Sequence, residues 1–174
     1  IITCLILVKC LFKCFSICGV IVTNSGSNTF VSTGGPPAEF DDIPVFIERI
    51  EQVPDSLLIG ARNLTADNMP SKNTFANKFS NFWYKVETGK SLSDTQSGYR
   101  LYPLDKLQNL HYITRRYEFE VEVIVRAAWR GINVENVPIK VYYAPVGERV
   151  SHFRPLQDFT RISVLNTFLV LIAL

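Results

Sequence analysis

Charge is divided unevenly along this chain. All 16 acidic residues lie from Glu39 onward, whereas residues 1 to 38 hold no acid and two bases, Lys9 and Lys13. All four cysteines, Cys4, Cys10, Cys14 and Cys18, fall in the first 18 residues. Two compositions are therefore joined near residue 38. Residues 1–38 form an atypical apolar and linker segment, and residues 39–174 have the composition of a folded domain.

Three readings of the first segment stay open. Residues 1–22 are apolar enough, and about long enough, to cross a bilayer. They resemble a signal sequence less well, because no small-x-small cleavage site is convincing. They could also be foreign to the domain, as a frame error or a truncated gene would make them. The cysteines form no CxxC pair and have no nearby histidine, so they read as small hydrophobes and not as zinc ligands.

A length of 174 residues suffices for one domain with a real core, and 47% apolar against 20% charged residues suits a folded chain. The net charge of +2 and the absence of any Lys/Arg run exclude the electrostatic footprint of a nucleic-acid binder.

Periodicity predicts the elements. Residues 24–37 are rich in Gly, Ser, Thr, Asn and Pro and read as a loop. Asp41-Asp42-Ile43-Pro44 looks like a helix start, with an aspartate as cap and proline in the first turn. Ile43, Phe46, Ile47 and Ile50 then predict a helix over 42–52. Ser56 to Gly60 is a short apolar run suited to a buried strand, with Arg62 and Asn63 just past its end. Residues 73–87 read as a helix with Phe75, Phe79, Phe82 and Trp83 on one face, and 88–100 as a loop. Residues 117–129 predict a helix stopped at Gly131, 132–143 a strand, and 155–174 an increasingly apolar helix. The class is α/β.

Chemistry concentrates in two loops. Asp94, Gln96, Ser97 and Arg100 crowd one, and Arg149, Ser151, His152 and Arg154 another, while Arg62 stands at a strand end. Arginine forks match phosphate oxygens through paired hydrogen bonds, and Gly98 allows a tight backbone. Blander readings compete. Asp-x-x-Ser-Gly is often only a turn, Asp94 and Arg100 can form an internal salt bridge, an arginine before a strand is often a surface ion pair, and His152 can be structural.

Six segments occur in a telling order. They are Asp42-Ile43-Pro44, Leu58-Ile59-Gly60-Ala61-Arg62-Asn63, Asp94 to Arg100, Phe119-Glu120-Val121-Glu122, Asn136-Val137-Pro138-Ile139-Lys140-Val141 and Arg149 to Pro155. Together they resemble family 2 glycosyltransferases, in particular the branch like dolichyl-phosphate mannosyltransferase, over residues 41–174. The resemblance implies a Rossmann-like, glycosyltransferase A-type fold with a mixed sheet flanked by helices. It implies a nucleotide-sugar donor, a divalent metal (Mg or Mn) and, as acceptor, polyprenyl phosphate at the cytoplasmic face of the cell membrane. It assigns Asp94 and Arg100 to catalysis, and Arg62, Gln96, Ser97, Arg149, Ser151 and His152 to substrate binding.

The chain departs from that family at its start. The expected base-binding acid and Asp-x-Asp metal motif are missing. Asn24-Ser25-Gly26-Ser27-Asn28-Thr29 and Gly34-Gly35-Pro36-Pro37 stand there instead, so no metal ligand is assigned. The expectation is an acceptor-side half, inactive by itself. The alternative is a non-catalytic, membrane-associated module that binds a lipid phosphate.

Overall fold

Leu57, Leu58 and Ile59 have no exposed surface, so the strand they form must be covered on both faces. The computed structural model describes residues 6–7, 19–24, 27–32, 42–62, 71–115, 117–140 and 155–173. Strand β4 (Leu57–Ala61) lies between β5 (Arg100–Pro103), which is antiparallel to it, and β6 (Val134–Pro138), which is parallel. Strands β1 (Ile6–Leu7), β2 (Gly19–Asn24) and β3 (Ser27–Ser32) extend the sheet beyond β5, in the order β1-β2-β3-β5-β4-β6. The fold is α/β, a mixed sheet flanked by helices, as the sequence predicts.

Alternation along β4 sorts the core into two layers. Leu58 joins Tyr99, Leu101, Val137 and Ile139 beneath Phe46 and Ile50 of α1 (Ile43–Gln52). Leu57 and Ile59 face the opposite side. They pack with residues of α2 (Ser71–Thr88), the short α3 (Leu104–Leu107), α4 (Tyr117–Trp129) and α5 (Pro155–Ala173). Gly60 is small for a reason: a Cβ there would lie 2.6 Å from Cδ1 of Ile139 and 3.1 Å from its Cγ2.

The helix predictions hold to within a residue or two. α4 ends as expected at Gly131, whose φ of 75° lets Gly131 N bond Ala128 O and Ile132 N bond Ala127 O. Between α1 and β4, Asp55 takes a φ of 63° to reverse the chain. Asp42 stands at the N-cap of α1, but its side chain makes no cap bond. Its carboxylate instead accepts the amide of Lys140, 3.0 Å away, and so ties α1 to the end of β6. Asp41 lies outside the described residues. The strand expected over 132–143 is shorter, Val134–Pro138, and 141–143 lie outside the described residues.

The loop expected over 24–37 needs correction. Ser27–Ser32 is a strand, paired with β2 on one side and with β5 on the other (Phe30 opposite Tyr102, Val31 opposite Leu101). Its Ser and Asn content suits a turn, but the open ladder of β5 supplies partners that local propensity does not foresee. Gly19–Asn24 is likewise a strand, so the last part of the apolar run 1–22 is not helical. Among the described residues no helix is long and apolar enough to cross a membrane.

Helix α2 turns much of its aromatic face outward. Its inward face carries Asn77, Ser80, Tyr84 and Glu87, all buried, while Phe75 is 68% and Phe82 58% exposed. Among the described residues the Glu87 carboxyl has no hydrogen-bond partner, and burial pushes its pKa from 4.5 up to about 8. A carboxyl raised in the fold costs nothing in acid. It destabilises increasingly as pH climbs from its unfolded value toward the folded one. Glu87→Gln is therefore expected to stabilise the chain by about 1–3 kcal/mol at neutral pH and to have little effect in mild acid. Urea denaturation of both proteins across that range checks this. A constant difference at every pH contradicts it.

Candidate functional site

The polar cluster lies where β4 ends and the 93–97 segment crosses it. Asn136, on β6, holds that segment from below. Its Oδ1 accepts from Ser93 N (2.7 Å), Ser93 Oγ (2.9 Å) and Asp94 N (3.2 Å). Its Nδ2 donates to Ile59 O (3.2 Å) and Asp94 O (2.9 Å). One carboxamide thus fastens β6, β4 and the loop together. Helix α2 holds the other side. Asn81 Nδ2 donates to Ser93 O (2.7 Å), and Asn77 Nδ2 donates to the same oxygen (3.1 Å). Asn81 Oδ1 accepts Thr95 N (3.0 Å) and Thr95 Oγ1 (2.8 Å).

Asp94 is fully buried at the centre. Its Oδ2 accepts Arg62 Nε (2.7 Å) and Arg62 N (3.2 Å). Its Oδ1 accepts Arg62 Nη2 (3.0 Å), Gln96 N (3.0 Å) and Ser97 N (3.2 Å). A buried carboxylate demands such compensation, and the fork of Arg62 supplies it bidentately. The side chain of Arg62 remains 18% exposed.

Arg100 does not pair with Asp94, so the internal salt bridge between them is replaced. Nor is it a surface residue, being 1% exposed. Its Nε donates to Ser97 O (2.7 Å), Nη2 to Thr95 O (2.8 Å) and Nη1 to Glu120 O (2.7 Å). Nη2 also lies 3.5 Å from Glu120 Oε2. Arg100 thereby spans the loop's carbonyls and the first turns of α4.

The two acids of Phe119-Glu120-Val121-Glu122 differ in role. Burial pushes the Glu120 carboxyl above its ordinary range, opposed by Arg100 and Arg62. Glu120 is the carboxyl of the cluster that keeps some exposure, 30% of its side chain. Burial also raises Glu122, but the bonds from Thr114, from the amides of Ile113 and Thr114, and from Arg126 together outweigh it and hold that carboxyl below its ordinary range. Glu122 ties the segment before α4 to the helix.

Of the residues singled out in the sequence, Arg62, Asp94, Gln96, Ser97 and Arg100 come together. Gln96 presents its side chain to solvent, while Ser97 is buried and its Oγ accepts Tyr99 N (3.3 Å). Arg149, Ser151, His152 and Arg154 lie outside the described residues. Asn77, Asn81, Glu120 and Asn136 were not foreseen as members. Glu120 and Asn136 sit inside motifs of the resemblance, and that was the available signal. Asn77 and Asn81 carry no such signal beyond being polar residues on a helix with an aromatic face.

A divalent cation fits this cluster poorly. Hard ions need several oxygens with lone pairs to spare. Both oxygens of Asp94 are already saturated by donors, and Glu120 faces two guanidinium groups.

The geometry makes Asn136 the anchor of the loop. Asn136→Ala strands the Ser93 and Asp94 amides and is expected to cost about 2–4 kcal/mol. Asn136→Asp should cost nearly as much, since it loses both Nδ2 donors and sets a second carboxylate beside Asp94. Urea denaturation measures the loss, and amide exchange over 93–97 should rise in parallel. Wild-type stability in either variant contradicts the anchor. Comparison with protein families, with curated proteins and with solved structures finds no match to this chain.

Proposed function

We propose that the chain is the acceptor-side part of a family 2-type glycosyltransferase of Rossmann-like, glycosyltransferase A-type fold. In that reading the whole enzyme transfers a sugar from a nucleotide-sugar donor to polyprenyl phosphate at the cytoplasmic membrane face. One observation carries it. Segments that resemble the family and lie far apart in sequence, at Arg62, Asp94–Arg100, Glu120 and Asn136, converge on one cluster at the C-terminal end of β4. Ligands of open α/β sheets collect at such an edge.

The roles follow from the bonding. Asp94 has every lone pair engaged, so it is a positioning residue that sets the plane of Arg62 and the course of the loop. Arg100 does the same for the loop's carbonyls. Arg62, partly exposed and held in orientation, is the group that binds phosphate oxygens. A phosphate monoester has a second pKa near ~6 and arrives largely ionised, so it needs alignment more than a base. An acceptor hydroxyl would need a base, and Asp94 is too committed to serve. The divalent metal of the family finds no ligand set in this cluster. That same lack favours the second reading, lipid-phosphate capture without turnover by this chain.

The test is calorimetric titration of the 174-residue chain with farnesyl phosphate, a soluble polyprenyl-phosphate analogue. Binding is expected, with Arg62→Ala weakening it roughly tenfold or more. Farnesol is expected not to bind. Equal binding by farnesol, or full affinity in Arg62→Ala, overturns the reading. Sugar turnover by this chain alone would overturn the assigned division of labour.

A further inference from the structure

Helix α2 buries its polar face and exposes its apolar one. Asn77 and Asn81 pin its rotation by bonding the backbone at Ser93 and Thr95, so the helix cannot roll its aromatics inward without releasing that loop. Phe75, Phe82 and Val86 therefore stand 68%, 58% and 47% exposed. Helix α5 packs alongside through Phe79 and Phe159, whose rings lie 5.3 Å apart, and itself exposes Val164 and Leu171 at 65% and 67%. A surface this apolar is unusual on a chain bathed in water alone.

Charge identifies the occupant. The two acids on these helices, Glu87 and Asp158, are 3% and 2% exposed. Among the described side chains, the exposed charges on α2 and α5 are all cations: Lys78, Lys85 and Arg161. Arg161 lies 3.8 Å from Glu118, so the two lysines carry most of the argument. Lys78 and Lys85 occur seven residues apart, on one flank of the exposed aromatic stripe. Aromatics flanked by lysine, with no exposed acid, match an anionic lipid surface. A second copy fits less well, because a symmetric contact would bring two faces of like positive charge together.

We infer that the α2–α5 face docks in the plane of an anionic bilayer, with Phe75 and Phe82 in the acyl boundary and Lys78 and Lys85 at the headgroups. The inference rests on the rotation of α2 and on charge, and it does not need the sugar-transfer reading.

Flotation of the full chain with phosphatidylcholine vesicles, with and without phosphatidylglycerol, tests it. Binding is expected to require phosphatidylglycerol and to weaken in high salt. Lys78→Glu with Lys85→Glu should weaken partitioning roughly tenfold or more. Phe75→Ser with Phe82→Ser should abolish it while circular dichroism stays unchanged. Arg62→Ala, which is expected to lose farnesyl phosphate, should float as the wild type does, so the two readings fail separately. Equal flotation on both vesicle types, or wild-type flotation in both α2 variants, overturns the inference. So does self-association in light scattering that Phe75→Ser with Phe82→Ser reverses, since the face would then belong to a second copy.

Discussion

A carboxylate with no exposed surface sits at the centre of this structure, and most of its neighbourhood is arranged to make that tolerable. Removing a charge from water costs several kcal/mol unless donors replace the lost hydration (~5 as an order of magnitude). For Asp94 the donors are the Arg62 fork, the Arg62 amide and the amides of Gln96 and Ser97. Each comes from a different constraint. Arg62 is in place because β4 ends there, and the two amides converge because the chain turns at Asp94. The turn in turn depends on Asn136, which is in place because β6 runs parallel to β4.

The same demand reaches helix α2. Two of its asparagines are spent on the loop's backbone, and that fixes which face the helix turns inward. The cost appears twice, as the unpartnered Glu87 carboxylate inside and as the exposed phenylalanines outside. Neither is explained by optimising α2 for water. Both follow once the helix is regarded as a clamp on the 93–97 segment. In the reading proposed above, the polar loop would take the charged head of a lipid acceptor and the apolar, cationic face its membrane.

Local pattern revealed most of the helices and the central strand. The apolar run at Leu57–Gly60, the helical spacing of Phe46 and Ile50, and the Ala-Ala pair before Gly131 each encode their element within a few residues. What it could not reveal is long-range. β3 looks like a linker because its partner, β5, lies about 70 residues downstream. Aromatic periodicity in α2 is real, yet periodicity is silent on which face is inward. Asp94 and Arg100 look like partners because they are close in sequence, but the backbone directs one to Arg62 and the other to carbonyls. Asn136, 42 residues from Asp94, is legible as part of a motif and not as its anchor.

The Arg62–Asp94 pair organises this cluster as a unit. A double-mutant cycle with Arg62→Ala, Asp94→Asn and both together, followed by urea denaturation, measures it most directly. Each single change is expected to cost about 3 kcal/mol, because each leaves a buried group uncompensated, and the double should cost far less than their sum, with a coupling of about 2 kcal/mol. Additive losses would contradict the account and would mean that the loop is held by its amides and Asn136 without the arginine.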